Sequence, residues 1–120
     1  MKKQILIVDD EVEIRELLSQ FLQRSGFDVN HVGTASEALA RVKTAAPDLV
    51  ISDLQLEHSD GLEMIARIKE ISPVTPVLLL TSLLFDEKVI ADNLSKKVSA
   101  YLPKTTPLNQ ILAQVKRLLA

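Results

Sequence analysis

Cysteine is absent from the 120 residues, so no disulfide framework, thiolate metal site or cysteine nucleophile is available. With no disulfide to form, a cytoplasmic location is the default expectation. Aromatic residues are scarce, with three Phe, one Tyr and no Trp, which argues against a base-stacking surface. Glycine is scarce too. Gly26, Gly33 and Gly61 stand apart, so no glycine-rich loop can cradle the phosphates of a nucleotide. A basic surplus is also lacking: 14 Lys and Arg against 16 Asp and Glu give a formal net charge of -2, which disfavours a nucleic-acid-binding module. No apolar run approaches the roughly eighteen residues of a membrane span. Met1-Lys2-Lys3 is followed by only Ile5 to Val8 before two aspartates intervene, too little apolar sequence for a secretion signal. What remains is one soluble domain, and 47% hydrophobic residues supply material for a real core.

Two periods alternate along the chain. Ile5-Leu6-Ile7-Val8, Leu49-Val50-Ile51 and Val77-Leu78-Leu79-Leu80 are short continuous apolar runs, as expected of parallel strands covered on both faces. Phe27 to Val32 and Val98 to Leu102 mix polar with apolar residues, as edge strands tolerate. Between these lie helical stripes: Ile14, Leu17, Leu18, Phe21 and Leu22, with Gly26 as a stop; Ala35, Ala38, Leu39 and Val42, opened by a Thr34/Glu37 capping box; and Leu62, Ile65, Ala66 and Ile68, ended by Ser72-Pro73. A last helix carries Leu108, Ile111, Leu112, Val115, Leu118 and Leu119, with Thr106 as expected N-cap and Pro107 at the first helical position. The segment from about Phe85 to Lys97 has the weakest helical pattern. Five strands alternating with five helices predict an α/β, flavodoxin-like (βα)5 doubly wound parallel sheet of order 2-1-3-4-5, whose sites lie beyond the carboxyl ends of the strands.

Those ends carry polar residues. The first strand runs into Asp9-Asp10-Glu11, the third into Ser52-Asp53, the fourth into Thr81-Ser82, and the fifth reaches Tyr101 shortly before Lys104. Taken singly, each has a plain reading as a helix-start acid, a turn residue or a surface lysine. Carboxylates gathered on one rim, however, repel one another unless a cation is present. A hard divalent ion such as Mg²⁺ meets that need through carboxylates and phosphate oxygens. An aspartate can attack phosphorus to give an acyl phosphate, while a lysine and a hydroxyl neutralise and hold the phosphoryl oxygens.

In these residues the chain resembles the receiver domains of two-component response regulators, in particular the single-domain, chemotaxis-regulator-like members. The resemblance runs from Gln4 to Leu119. It rests on Ile-Leu-Ile-Val-Asp-Asp-Glu at Ile5 to Glu11, Asp53 after an apolar strand, Asp60-Gly61, Thr81 after Leu78-Leu79-Leu80, and Tyr101-Leu102-Pro103-Lys104. It implies that residues 1–120 form one receiver domain with no output domain in the chain. It implies further that Asp53 is the phosphoacceptor, that Asp9, Asp10, Asp53 and the backbone carbonyl of Gln55 hold Mg²⁺ (Mn²⁺ being the other candidate), that Lys104 pairs with the phosphoryl group and that Thr81 hydrogen-bonds it. Thr81 and Tyr101 would form the switch. The donor would be a phosphohistidine on a sensor histidine kinase or phosphotransfer protein, the output a downstream protein target, and water would later hydrolyse the aspartyl phosphate. Such a protein catalyses its own phosphorylation and dephosphorylation without being a multiple-turnover enzyme. Nucleic acid and membrane are not expected partners; a homodimer through the fourth helix, fifth strand and fifth helix is an option.

The chain also departs from the family pattern. Leu56-Glu57 stands where Met-Pro is frequent, Lys97-Val98 where Gly-Ala is frequent, and Thr105 where a proline usually follows the lysine across a cis bond. Either Lys104-Thr105 is cis, at about 3 kcal/mol, or the loop takes another path. Leu83 and Leu84 replace common polar residues and would slow water attack or merely pack against the weak helix. His31 and His58 read as partly exposed polar residues, and Met64 as core filler. Two other functions compete with the phosphorylation switch: a phosphorylation-independent, degenerate receiver acting as an interaction module, and a small Mg²⁺-dependent phosphohydrolase. The latter would need a general acid where Gln55 stands.

Overall fold

A computed structural model of the chain describes residues 2–53, 55–56, 59–81 and 98–120. The elements are β1 (Gln4–Val8), α1 (Val12–Arg24), β2 (Asp28–Val32), α2 (Ala35–Thr44), β3 (Leu49–Ser52), the two-residue strands β4 (Gln55–Leu56) and β5 (Ser59–Asp60), α3 (Gly61–Ile71), β6 (Val77–Thr81), β7 (Ala100–Pro103) and α4 (Leu108–Leu119). The expected helix at Phe85 to Lys97 lies outside the described residues, as do His58, Leu83 and Leu84.

Five strands form one parallel sheet in the order β2-β1-β3-β6-β7. Setting aside the antiparallel β4-β5 pair, this is the expected 2-1-3-4-5 order, with the polar-mixed strands at the two edges. The continuous apolar runs are continuous because successive side chains of a strand point to opposite faces and both faces are covered. Leu6, Val8, Val50, Val77 and Leu79 pack with Ala38 and Val42 of α2 and Met64, Ile65 and Ile68 of α3. Ile5, Ile7, Leu49, Ile51, Leu78 and Leu80 pack on the other face with Leu18 and Leu22 of α1 and Ile111 and Val115 of α4. Each buried Val, Leu, Ile or Met side chain among these contributes about 1.5–3 kcal/mol by leaving water.

Local expectations are corrected at Leu17 and Thr106. Leu17 is 56% exposed, because α1 buries Leu18, Ser19 and Leu22 with Ile14 and Arg15 half-buried, and that face turns Leu17 outward. The N-cap of α4 is Pro107; Thr106 instead closes a turn, its N–H and hydroxyl both donating to the Pro103 carbonyl at 3.0 and 2.6 Å. The β4-β5 pair, which joins Gln55 to Asp60 and Leu56 to Ser59, has no periodic signal in two residues per strand. Thr34 caps α2 as its spacing predicts: Glu37 N–H donates to Thr34 Oγ1 at 3.2 Å. The Glu37 carboxylate, however, receives the Thr34 hydroxyl at 3.0 Å, where a full capping box would bond the Thr34 N–H. Gly26, just past α1, takes φ 102°, the left-handed conformation that favours glycine at a helix end.

Candidate functional site

The register of the sheet brings the site together. Val8 of β1 pairs with Ser52 of β3, so Asp9 and Asp53 leave neighbouring strands side by side. The ladder runs one residue further at each end, with Asp9 N–H donating to Val32 O at 3.2 Å and Asp53 N–H to Val8 O at 3.1 Å. Two carboxylates are thereby fixed on rigid backbone, and both residues are buried, with Asp9 3% and Asp53 2% exposed. Asp10 is half-buried beside them and Glu11 is exposed.

Lys104 comes from the far side. It follows Pro103, the last residue of β7, inside the turn that Thr106 closes. Its ammonium nitrogen lies 2.9 Å from Asp9 Oδ2, 2.8 Å from Asp53 Oδ2 and 2.8 Å from Glu11 Oε1. No peptide bond among the described residues is cis, so the loop reaches the site by the other path. Burial works against the charge of Lys104, but the hydrogen bonds it donates to Asp53, Glu11 and Asp9 outweigh that and hold its pKa above the ordinary lysine value. Asp9 moves the other way from a simple ion pair. Its burial raises its pKa above the ordinary value of 3.8, against the opposing Glu11 N–H and Lys104, with the charge of Asp53 adding to the rise.

Thr81 ends β6 opposite Pro103 of β7, which places it at the strand end beside the Lys104 turn. Tyr101 of β7 is half-buried against the α2-α3 side of the core. Gln55 lies in β4, two residues past Asp53, with its backbone paired to Asp60. The sheet thus gathers Asp9, Asp10, Asp53 and Lys104 in one cluster and sets Thr81, Tyr101 and Gln55 on the elements around it.

The donor set suits a small hard cation. One carboxylate oxygen from each of Asp9, Asp10, Glu11 and Asp53 lies within 4.8 Å of the others. Opposite ligands of an octahedral Mg²⁺ stand about 4 Å apart, so little adjustment is needed. Asp9 already has a structural task on each oxygen, since Oδ1 accepts the Glu11 N–H at 2.9 Å and Oδ2 accepts Lys104.

Two residues escaped the sequence reading. Arg15, on the first turn of α1, donates through Nη1 to the Asp9 carbonyl at 2.8 Å and through Nε to His31 Nδ1 at 3.3 Å. Nothing in the sequence marks it; in the fold, a β-carbon at Gly33 would overlap Arg15 Nη1, so the glycine leaves the guanidinium its room. Glu11 was legible as part of the acidic rim but not as a partner of Lys104, a contact between residues at opposite ends of the chain.

The comparisons with known proteins bear on the chain as a whole. The family model for the response regulator receiver domain matches residues 5–116. The chain is a member of the response regulator receiver family. It is 40% identical over 82 residues to the alkaline phosphatase synthesis transcriptional regulatory protein PhoP of Bacillus subtilis, covering 68% of this chain and 34% of that protein. It is 31% identical over 126 residues to the response regulator MprA of Mycolicibacterium vanbaalenii, covering 99% of this chain and 51% of that protein. The receiver therefore spans about a third to a half of the length of these two relatives. Among solved structures, the CheY-like receiver domain protein of Methanospirillum hungatei JF-1 superposes with a TM-score of 0.91 at 28% identity, covering 99% of this chain and 94% of that one. Receivers of this family are signalling switches of two-component systems, not classical enzymes. Among the described residues, no helix is long and apolar enough to cross a membrane.

Proposed function

We propose that residues 1–120 act as one cytoplasmic receiver unit that takes a phosphoryl group on Asp53 from a phosphohistidine of a sensor kinase or phosphotransfer protein, in a Mg²⁺-dependent step. The observation that carries this reading is the position of Lys104 Nζ, within 2.9 Å of both Asp9 and Asp53 at the carboxyl rim of the sheet. A carboxylate needs no base to act as a nucleophile at neutral pH. One oxygen of Asp53 attacks phosphorus, the P–O bond forms as the P–N bond breaks, and the leaving imidazole nitrogen keeps the electron pair. The remaining demand is positioning and relief of charge on the phosphoryl oxygens. Lys104 supplies a fixed positive charge, and its raised pKa keeps that charge at physiological pH. Thr81, one strand away, would donate its hydroxyl to a phosphoryl oxygen. Asp10, Asp53 and the Gln55 carbonyl would hold Mg²⁺ with Asp9 contributing its charge, and the bound ion would draw further charge from those oxygens.

Tyr101, on the strand that leads to Lys104, would pass a change at the rim to the outer surface of β7. A downstream protein would read that change until water hydrolyses the aspartyl phosphate. The test is an NMR titration with beryllofluoride, a phosphoryl mimic, in the presence of Mg²⁺. Spectral changes around Thr81 and Tyr101 that disappear in Asp53→Ala support the reading. A wild-type spectrum that stays unchanged removes it and leaves a phosphorylation-independent interaction module in its place.

A further inference from the structure

We infer that Glu11 is the exchangeable partner of Lys104: it holds the ammonium over Asp53 before phosphorylation, and it is the one carboxylate the ammonium gives up to accept a phosphoryl oxygen. The inference rests on Asp53 being the phosphoacceptor. An ammonium group has three N–H donors. Asp9, Glu11 and Asp53 stand at 2.9, 2.8 and 2.8 Å from Lys104 Nζ, so all three donors are matched and a new acceptor must displace an old one.

The three partners differ in what their release costs. The side chains of Asp9 and Asp53 are 4% and 2% exposed, so water is not at hand to take the place of the lysine there. The side chain of Glu11 is 56% exposed and can be solvated at once. Its backbone stays fixed during the exchange, because Glu11 N–H donates to Asp9 Oδ1 at 2.9 Å and Glu11 O accepts the Arg15 N–H at 3.1 Å. Glu11 is also the N-cap residue of α1, yet its side chain makes no capping hydrogen bond. An acid at that position ordinarily serves its own helix; here the carboxylate is turned to Lys104. Glu11 is thus a positioning residue, acting on the site only through the lysine.

Carboxylate ¹³C resonances of the wild-type protein report the exchange directly. With Mg²⁺ and beryllofluoride bound, the Glu11 resonance should move to its position in Lys104→Ala, with Glu11 released, while Mg²⁺ alone leaves it in place. In Glu11→Ala, beryllofluoride should bind about two- to fivefold more tightly, the range an exposed ion pair supports, with the Mg²⁺ dissociation constant changed less than twofold. A Glu11 resonance that does not respond to beryllofluoride overturns the inference. So does a Mg²⁺ affinity that falls tenfold in Glu11→Ala, which would make Glu11 a metal ligand. If the wild-type protein forms no Asp53-dependent beryllofluoride complex, the phosphoacceptor reading itself has failed; if the complex forms and Glu11 stays on Lys104, only this inference has.

Discussion

Lys104 Nζ lies 2.8 Å from Asp53 Oδ2, and only 9% of the lysine side chain meets solvent. The pair joins the turn after β7 to the end of β3 across the width of one intervening strand, β6. Its charge holds together a rim that would otherwise repel itself. Lys104→Ala should therefore lower folding stability at pH 7 by roughly 1–3 kcal/mol, measured by urea denaturation in metal-free buffer. Millimolar Mg²⁺ should return part of that loss, because a second cation can take over the same carboxylates.

Much of this arrangement was legible in the sequence. Ile5 to Val8, Leu49 to Ile51 and Val77 to Leu80 are apolar at every position because each strand is covered twice, and that pattern gave the sheet, its order and the rim to inspect. Leu17 was misread because an i, i+3, i+4 stripe is wider than the face α1 buries, which includes Ser19. Thr106 was misread because a threonine before a proline can serve the preceding turn as well as the following helix. Glu11–Lys104 and Arg15–Asp9 could not be read at all. Both depend on how far long, flexible side chains reach in space, which local periodicity does not record.

Arg15 and Gly33 should behave as one unit. An alanine at Gly33 would push the guanidinium off the Asp9 carbonyl, at about the value of that hydrogen bond, 1–2 kcal/mol. Arg15→Met should cost a similar amount. The double variant should cost no more than the larger single one, because both remove the same contact. Fully additive losses in urea denaturation would show that Gly33 matters for another reason.

Asp9 sets a pH dependence. Burial raises its folded-state pKa above the unfolded value near 3.8, so the folded state binds this proton more tightly. The contribution of Asp9 is then most favourable below the unfolded pKa and is lost as pH rises through the folded pKa. Asp9→Asn keeps an oxygen for the Glu11 N–H and removes the charge. It should be more stable than the wild-type protein at pH 7, and the gap should close as the pH falls towards the unfolded pKa. Urea denaturation at matched ionic strength, without divalent ions, measures both ends of that range.

Thr34 provides a control outside the rim cluster. Thr34→Ala removes the N-cap bond to Glu37 and should cost about 1 kcal/mol of stability. Beryllofluoride affinity should stay the same, since the side-chain bonds of Thr34 go to Glu37.

In the proposed function, Asp53 accepts the phosphoryl group with Lys104 beside it. The most direct measurement is intact-mass spectrometry of the protein after incubation with Mg²⁺ and a small acyl-phosphate donor, alongside Asp53→Ala. Phosphorylation on Asp53 should give a single phosphoryl adduct that requires Mg²⁺ and is missing from Asp53→Ala. An adduct that persists in Asp53→Ala, or a wild-type protein that takes up none, would contradict it.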